Sequence, residues 1–297
     1  MPQSEGNASM EPLGKEPRGI LVKLARHYGY CMGVELAIKK ALETAAQTGR
    51  VWTDGPIIHN NEVVEKLRGH GIEKLRSDAD LRPGDTVLIR AHGVPRRRLL
   101  QLEEKGVRIV DATCPHVKRA QEIISRYTGE GYKGLVIGDP EHAEIKGILG
   151  HAHGECIVVR DIEDVGKVDG DEAPFVVICQ TTFSIFEIDR IFAALPLDPE
   201  RDRIVKTVCR ATQDRQEAAR ELAAQVDAVL VVGGFHSANT NRLAGICREI
   251  NPRTYHIETA DDITPEMLRD VDSVGITAGA STPDWIICRV VSRLKEV

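Results

Sequence analysis

Three widely spaced cysteines are the residues of this chain best suited to metal chemistry. They are Cys31, Cys114 and Cys209, and each precedes a helical pattern. The residues 28 positions further on are His59, His142 and Ser237, and each follows an apolar, strand-like run. Cysteine thiolates bind zinc, copper(I) and iron–sulfur clusters. Three similar thirds, each with one cysteine, therefore predict three thiols that meet around one metal centre.

The surroundings of these cysteines favour a thiolate site. Cys31 lies between glycines at a helix start, and Pro115 follows Cys114 where the first helical turn tolerates proline. Helix N-termini lower the pKa of a thiol. The sequence has no Cys-x-x-Cys pair of the kind that structural zinc sites use, and three cysteines would leave one iron of a cubane cluster open. The other cysteines are expected to pack as buried thiols: Cys156, Cys179, Cys247 and Cys288.

Composition and charge limit the classes of function. The 297 residues are 42% hydrophobic and 28% charged, which is typical of a globular protein with a large core. The formal net charge of −6 argues against general nucleic-acid binding, and no apolar run approaches a membrane span. Residues 1–18 are rich in Pro, Gly, Ser and Glu, which predicts a disordered tail without a secretory signal. We therefore expect a cytoplasmic location.

Short β-branched runs alternate with longer amphipathic stretches along the chain. Helical patterns cover residues 34–48, 117–127 and 213–225, among others. This alternation predicts an α/β fold with mostly parallel sheets that helices cover on both faces. Ligands of such folds bind at the carboxyl ends of the strands. Seven runs are predicted as strands: residues 51–53, 87–89, 107–110, 135–137, 176–178, 229–232 and 274–276.

Polar residues follow the predicted strands, where an anion would bind. Ser237 and Asn239 come after a glycine pair, and Ser281 follows the last strand. Hydroxyls and main-chain N–H groups at helix starts bind phosphate oxygens, and glycine lets the main chain approach closely. His59 and His92 add hydrogen-bond donors. Together these groups suit a diphosphate, although a single serine at a helix start is more often an N-cap.

A histidine and a glutamate two residues apart could move protons. His142 and Glu144 lie in a segment that follows a strand, and a carboxyl group there can give a proton to a leaving hydroxyl. Taken alone, Glu144 would be read as an ordinary solvated loop residue. Thr181 and Thr182 follow the next strand and could bind a substrate hydroxyl, although threonines at such positions also cap turns.

Nine short motifs together resemble one family, the LytB-type 4-hydroxy-3-methylbut-2-enyl diphosphate reductases, the terminal enzymes of the non-mevalonate isoprenoid pathway. The resemblance runs from about Val22 to the C-terminus. Two positions depart from the family pattern, since Ala143 stands where proline is common and Ala238 where many members have a second serine. The motifs are residues 29–34, 58–60, 91–94, 111–115, 142–144, 180–182, 209–212 with 215–216, 237–243 and 277–281.

The resemblance implies a cofactor, a reaction and a role for each site residue. It implies a [4Fe–4S] cluster on Cys31, Cys114 and Cys209, with one open iron. It implies removal of an allylic hydroxyl by two electrons and two protons, with ferredoxin or flavodoxin as the electron donor. Protons would come from Glu144, assisted by Thr181 and His142. The substrate would be held by His59, His92, His142, Thr182, Thr212, Ser237, Asn239 and Ser281.

The resemblance also implies three α/β domains related by a pseudo-threefold axis, in a trefoil around a central cluster cavity. The predicted boundaries place a tail at 1–18, domains at 19–113, 114–208 and 209–282, and a C-terminal helix at 283–297. Two other functions are compatible with three cysteines on one axis. One is a hydro-lyase of the quinolinate synthase type, which needs no external electrons. The other is a non-catalytic iron–sulfur sensor, which would need no Glu144.

Overall fold

A computed structural model of the chain describes residues 19–168 and 173–296, so the predicted tail at 1–18 lies outside the described residues. All seven predicted strands are present, and the described ranges contain five more. The strands are β1 (Leu21–Leu24), β2 (Val51–Thr53), β3 (Ile72–Lys74), β4 (Thr86–Ile89), β5 (Arg108–Asp111), β6 (Lys133–Ile137), β7 (Cys156–Val159), β8 (Phe175–Cys179), β9 (Arg203–Val205), β10 (Ala228–Val232), β11 (Thr254–Ile257) and β12 (Ser273–Ala278).

Helices follow most of these strands, and several begin at a capping residue that the sequence supplies. Asn60 accepts a hydrogen bond from the N–H of Val63, and Ser184 accepts one from Glu187. Pro115 occupies the first turn of its helix. The helices are α1 (Met32–Thr48), α2 (Asn61–Arg68), α3 (Arg96–Glu104), α4 (Pro115–Gly129), α5 (Ala143–Leu149), α6 (Ile185–Ala194), α7 (Arg210–Ala223), α8 (Ala238–Ile250) and α9 (Asp284–Glu296).

The strands form three four-stranded sheets, and every pairing in them is parallel. The orders are β1-β12-β10-β11, β3-β2-β4-β5 and β7-β6-β8-β9. These orders are equivalent, because in each sheet one edge strand leads to a cysteine and the two central strands are followed by polar segments. The predicted α/β class with parallel sheets is therefore confirmed. The pairing of β1 with β12 joins the two ends of the described chain in one sheet.

The described chain divides into two compact units, one made of residues 19–31 and 210–296, the other of residues 32–168 and 173–209. In the first unit, β10 alternates its side chains between two cores. Leu230 packs with Ile287 and Val290 of α9 on one face. Val231 packs with Ala219 of α7 and Leu243 of α8 on the other. Both faces of the sheet are therefore buried, as expected of a parallel sheet.

The second unit contains the other two sheets and α1 to α6. Val177 of β8 packs toward Ile188 of α6, and its neighbour Val176 packs toward Ile124 of α4 on the opposite face. In the β2–β5 sheet, Val87 packs with Leu102 of α3. Rigid sheets thus carry the strand ends at which the predicted site residues lie. Of the helices in the described ranges, none has the length and apolar character needed to cross a bilayer.

The four cysteines that we expected to be buried differ in their solvent exposure. Cys179 and Cys247 are buried, and Cys156 is half-buried. Cys288 is exposed, so that part of the expectation is wrong. It lies on α9, whose buried stripe is formed by neighbours at helical spacing, Ile287 and Val290 among them, and position 288 falls on the opposite face.

Candidate functional site

Each of the three spaced cysteines has its main chain fixed in the same way. The N–H of Cys31 donates to the carbonyl of Ala280 at 3.2 Å, that of Cys114 to Ala91 at 2.9 Å, and that of Cys209 to Thr181 at 3.1 Å. Each acceptor lies two residues beyond the end of a central strand, which is β12, β4 or β8. The three cysteines, which recur in a regular pattern in the sequence, therefore also share the same local main-chain structure.

The spaced cysteines also differ from the buried ones in their surroundings. All three are partly exposed, none forms a disulfide with another described residue, and each directly precedes a helix, α1, α4 or α7. Burial raises the pKa of Cys179 and Cys247 to about 12, so these two remain thiols at neutral pH. Accessible thiols at helix N-termini are suited to act as thiolate ligands. The donor set thus fits an iron–sulfur cluster, and the roles of the three cysteines stay predictions.

Arg215 fixes the loop that leads to Cys31 and was not among the predicted site residues. Its Nη2 donates to the carbonyls of Gly29 at 2.8 Å and Tyr30 at 2.9 Å, while Nη1 donates to Ala211 at 2.8 Å. The side chain is buried on α7. The signal that could have identified it is the arginine at 215 in the seventh motif, because a buried arginine must find acceptors.

Three of the predicted site histidines lie together in the second unit. The ring centroids are 5.0 Å apart for His59 and His92, 5.4 Å for His92 and His142, and 6.4 Å for His59 and His142. One ring nitrogen from each lies within 4.8 Å of the others. The N–H of Glu144 donates to Nδ1 of His142 at 3.2 Å. Because a main-chain N–H can only donate, the neutral His142 ring carries its proton on Nε2.

Two rings of this cluster, those of His92 and His142, are neutral at pH 7. Burial, then the neighbouring histidines and Arg90, hold the pKa of His92 well below its usual range. Burial, then His59, lower the pKa of His142 to about 4, and Arg90 contributes in the same direction against Asp139. The His92 and His142 rings therefore offer hydrogen bonds at neutral pH and no charge. Three imidazoles can also hold a divalent metal, but a nearby arginine cation opposes a metal ion and favours an anion.

Glu144 and Thr181 form a buried pair beside this cluster. The carboxylate of Glu144 is 1% exposed. Its Oε1 accepts from the N–H of Thr181 at 2.6 Å, and its Oε2 accepts from the Thr181 hydroxyl at 2.8 Å. Burial raises the pKa of Glu144 to about 7, and the two hydrogen bonds from Thr181 only partly oppose that rise. A carboxyl group with this pKa can both hold and release a proton at neutral pH.

Gln180 connects two of the segments that carry predicted site residues, and it too was missed as a functional side chain. Its Oε1 accepts from the N–H of Asp139 at 3.0 Å, and its Nε2 donates to the hydroxyl of Thr182 at 3.1 Å. Gln180 is buried. It therefore fixes the start of the segment that carries His142 and orients the Thr182 hydroxyl.

The first unit carries the remaining predicted residues, three of them after its two central strands and Thr212 on α7. Ser237 is the N-cap of α8, with its hydroxyl accepting from the N–H of Thr240 at 3.3 Å, so the capping role considered in the sequence is real. Asn239 is buried, and neither its Oδ1 nor its Nδ2 has a partner in the described part of the chain. Such an amide is costly unless a ligand satisfies it. Ser281 and Thr212 are also buried in this unit.

The chain is similar to proteins of one family over nearly all of its length. The profile of the LytB protein family matches residues 22–295. The 4-hydroxy-3-methylbut-2-enyl diphosphate reductase of Aquifex aeolicus is 41% identical over 278 residues, which cover 92% of this chain and 96% of that protein. The reductase of the same name from Pelobacter propionicus is 43% identical over 280 residues, which cover 93% and 98%.

Solved structures show the same similarity. A structure of (E)-4-hydroxy-3-methyl-but-2-enyl diphosphate reductase, the terminal enzyme of the non-mevalonate pathway, has a TM-score of 0.67 and 41% identity, and covers 92% of this chain and 98% of that one. The E-1-hydroxy-2-methyl-but-2-enyl-4-diphosphate reductase from Plasmodium falciparum has a TM-score of 0.87 and 25% identity, and covers 91% and 86%. The motifs, the three parallel sheets and these similarities together mean that the chain belongs to the LytB protein family.

Proposed function

We propose that this chain is an oxidoreductase that reduces 4-hydroxy-3-methylbut-2-enyl diphosphate to isopentenyl and dimethylallyl diphosphates. Two electrons and two protons break the allylic C–O bond, and the hydroxyl leaves as water. The observation that carries the proposal is the buried Glu144 carboxyl, with its pKa raised to about 7, beside the cluster of His59, His92 and His142. The relatives at 41% and 43% identity are named as reductases of this diphosphate.

The proposed cofactor is a [4Fe–4S] cluster held by Cys31, Cys114 and Cys209. When bound, the cluster supplies electrons and a Lewis-acidic iron. The support for this ligand set is the repeated main-chain hydrogen bond, the partial exposure of all three thiols and their common position before a helix. Ferredoxin or flavodoxin is the proposed electron donor, by resemblance to the family.

The proton chemistry is assigned to Glu144 and Thr181. Near pH 7 the Glu144 carboxyl is partly protonated, and in that state it can give a proton to the departing hydroxyl. The hydroxyl and N–H of Thr181 hold both carboxyl oxygens, which fixes the direction in which the proton leaves. His142 is proposed to assist through its Nε2–H, because its Nδ1 is occupied by the N–H of Glu144.

Substrate binding is assigned to the polar residues that the family resemblance implies. In the second unit these are His59, His92 and His142, whose rings donate hydrogen bonds to phosphate oxygens, and Thr182 near the reacting end. In the first unit the unpartnered amide of Asn239 is the strongest candidate, because bound phosphate oxygens would satisfy its Nδ2. Ser237, Ser281 and Thr212 complete the proposed set.

Anaerobic turnover tests this function directly. The protein is reconstituted with iron and sulfide and given the allylic diphosphate, with and without a reduced viologen. Both olefinic diphosphates should form only with reductant, and iron and sulfide should approach four of each per chain. Mössbauer spectra should show one iron that responds to substrate. Product formation without reductant would instead favour the hydro-lyase, and a loaded cluster without any turnover would favour a sensor.

A further inference from the structure

A cavity of about 390 Å³ in the second unit is lined by residues that have no role in the proposed reaction. Its volume falls in the range of roughly 300–1,000 Å³ that is typical of small-molecule sites. The lining comes from the segments that follow β2 and β4 and from the starts of α3 and α5. Of the described residues that line it, none is a predicted cluster ligand, substrate-binding residue or proton donor. The cavity is therefore a second candidate site.

Arg90 brings unused hydrogen-bond donors to this cavity. It directly follows β4 and is part of the lining. Its Nε is buried without an acceptor, and within residues 19–168 and 173–296 its guanidinium forms no hydrogen bond or ion pair. A buried donor without an acceptor is costly, and burial also lowers the pKa of Arg90 because it opposes the charged form. A negatively charged acceptor in the cavity would offset both costs.

The other charged residues of the lining are already paired. Arg98 binds the carboxylate of Asp54 through two hydrogen bonds of 3.0 Å. It binds Asp78, outside the lining, through two more, of 2.6 and 2.7 Å. Lys146 pairs with Glu141 at 2.7 Å. Among the cations of the described lining, the arginine after β4 is therefore the one whose donors remain available to a ligand.

The loop after β2 covers the guanidinium of Arg90 with its main chain. A Cβ at Gly55 would come within 2.6 Å of Nη1 and 2.9 Å of Cζ. Gly55 has a φ of 86°, a conformation that favours glycine. Because this close contact restricts the guanidinium before any ligand arrives, binding through it costs little conformational entropy.

The rest of the lining indicates the chemical class of the ligand. The N-cap of α3, Pro95, and Arg98 of its first turn both line the cavity, and the positive end of a helix favours an anion. An arginine fork matches phosphate oxygens well. Val94, Pro95 and Ala143 add an apolar wall. We propose that this cavity binds a small phosphate monoester, with the phosphate group on Arg90 and the carbon chain against that wall.

Anomalous diffraction locates the site in the wild-type protein. Crystals of the cluster-loaded full chain are soaked in selenate, a tetrahedral dianion with the shape of phosphate. We expect a selenium peak within hydrogen-bond distance of the Arg90 guanidinium. A peak at the histidine cluster alone, or no peak at all, would overturn the inference. The result does not depend on the proposed reaction, because no turnover is measured.

Calorimetry with propyl phosphate measures the contribution of Arg90 in solution. Arg90→Gln should raise the Kd about tenfold or more, because a charge-assisted hydrogen-bond pair is lost. Arg97→Gln is the control, since Arg97 is exposed on α3 and makes the same change in net charge, and it should stay within about twofold of wild type. Inorganic phosphate should bind wild type about threefold to tenfold more weakly, because it lacks the carbon chain. Equal affinity for inorganic phosphate would refute the ester.

Two further variants separate this cavity from the proposed substrate site and guard against misfolding. His59 does not line the cavity, so His59→Asn should keep the Arg90-dependent binding of propyl phosphate within about twofold of wild type. A tenfold loss in that variant would place the ester at the histidine cluster instead. If Arg90→Gln does not fold, Arg90→Lys decides. Lysine lacks the planar fork and should bind about threefold to tenfold more weakly, and unchanged affinity would refute recognition by the guanidinium.

Discussion

Thr181 connects Glu144 to Cys209 through its main chain. The N–H of Thr181 donates to Oε1 of Glu144 at 2.6 Å, and its carbonyl accepts from the N–H of Cys209 at 3.1 Å. One peptide segment after β8 therefore fixes both the proposed proton donor and a proposed cluster ligand. The corresponding acceptors for the other two cysteines are Ala91 and Ala280, which have no hydroxyl. Of the three similar strand ends, the one after β8 thus carries the hydroxyl that contacts the proposed proton donor.

The first prediction concerns Glu144 itself. Glu144→Gln should lower kcat by about 100-fold or more, because an amide cannot give the proton that a general acid supplies. Iron and sulfide content and visible absorption should not change, since the variant keeps the shape of the side chain. Glu163→Gln, at an exposed position on a surface turn, is the matched control. Full turnover by Glu144→Gln would refute this residue as the proton donor.

Stability should depend on pH through the same residue. The pKa of Glu144 is raised to about 7 in the folded protein, from about 4.3 in an unfolded chain. The folded state therefore prefers the protonated carboxyl. The stabilisation that this preference contributes is fully present below the lower pKa and is lost as pH rises through the higher one. Between pH 4 and pH 8, the free energy of unfolding of Glu144→Gln, measured with urea, should therefore rise relative to that of wild type by up to a few kcal/mol. A constant difference over that range would contradict the assignment.

Thr181 should tune the pH profile of the reaction. Its hydroxyl stabilises the charged form of Glu144 and so lowers the pKa of that carboxyl. Thr181→Val removes this hydrogen bond, so the alkaline limb of the kcat profile should move upward by on the order of one pH unit. Thr181→Ser keeps a hydroxyl and should keep the limb in place. An alkaline limb that stays in place or moves downward in the valine variant would mean that this limb does not report the Glu144 carboxyl.

The central strands were predictable from sequence and most of the edge strands were not. β2, β4, β6, β8, β10 and β12 are almost wholly buried and read as apolar runs. The missed strands are β1, β3, β7, β9 and β11, all at sheet edges. Their residues are partly exposed, as in the charged segment Arg203–Val205, so their composition resembles that of a loop. The partner of β1 lies at the far end of the chain, which no local pattern specifies.

The site was predictable where it depends on strand order and unpredictable where it depends on packing. The common interval of 28 residues pointed to His59 and His142, because equivalent positions follow equivalent strands. Arg90 carries no such signal, since an arginine after a strand is usually solvated. Its guanidinium is partly buried and lies against the main chain of Gly55, a contact that only the folded chain shows. The same is true of the three carbonyl contacts made by Arg215.

The cysteines give a prediction about cofactor binding. Cys31→Ser, Cys114→Ser and Cys209→Ser should each abolish the visible absorption of the reconstituted protein, because loss of one of three thiolates removes a cluster ligand. Cys156→Ser should leave the absorption intact and is the control at a half-buried thiol. Iron and sulfide analysis checks both. Loss of absorption in Cys156→Ser, with retention in the other three, would reverse the ligand assignment.

Two glycines of the first unit should respond to alanine in opposite directions. A Cβ at Gly279 would lie 2.0 Å from the hydroxyl of Thr240, whereas one at Gly245 in α8 would meet nothing within 4 Å. Gly279→Ala should therefore lower the free energy of unfolding by about 1–3 kcal/mol, and Gly245→Ala should raise it by about 0.5–1 kcal/mol.

The functional consequence of these two substitutions should differ as well. Gly279 directly precedes Ala280, whose carbonyl holds the N–H of Cys31. Displacing that segment should slow or reduce cluster incorporation in Gly279→Ala, measured as iron bound per folded chain after reconstitution. Gly245→Ala should load iron like wild type. Normal loading in a destabilised Gly279→Ala would show that the contact between Ala280 and Cys31 is not needed to position the thiol.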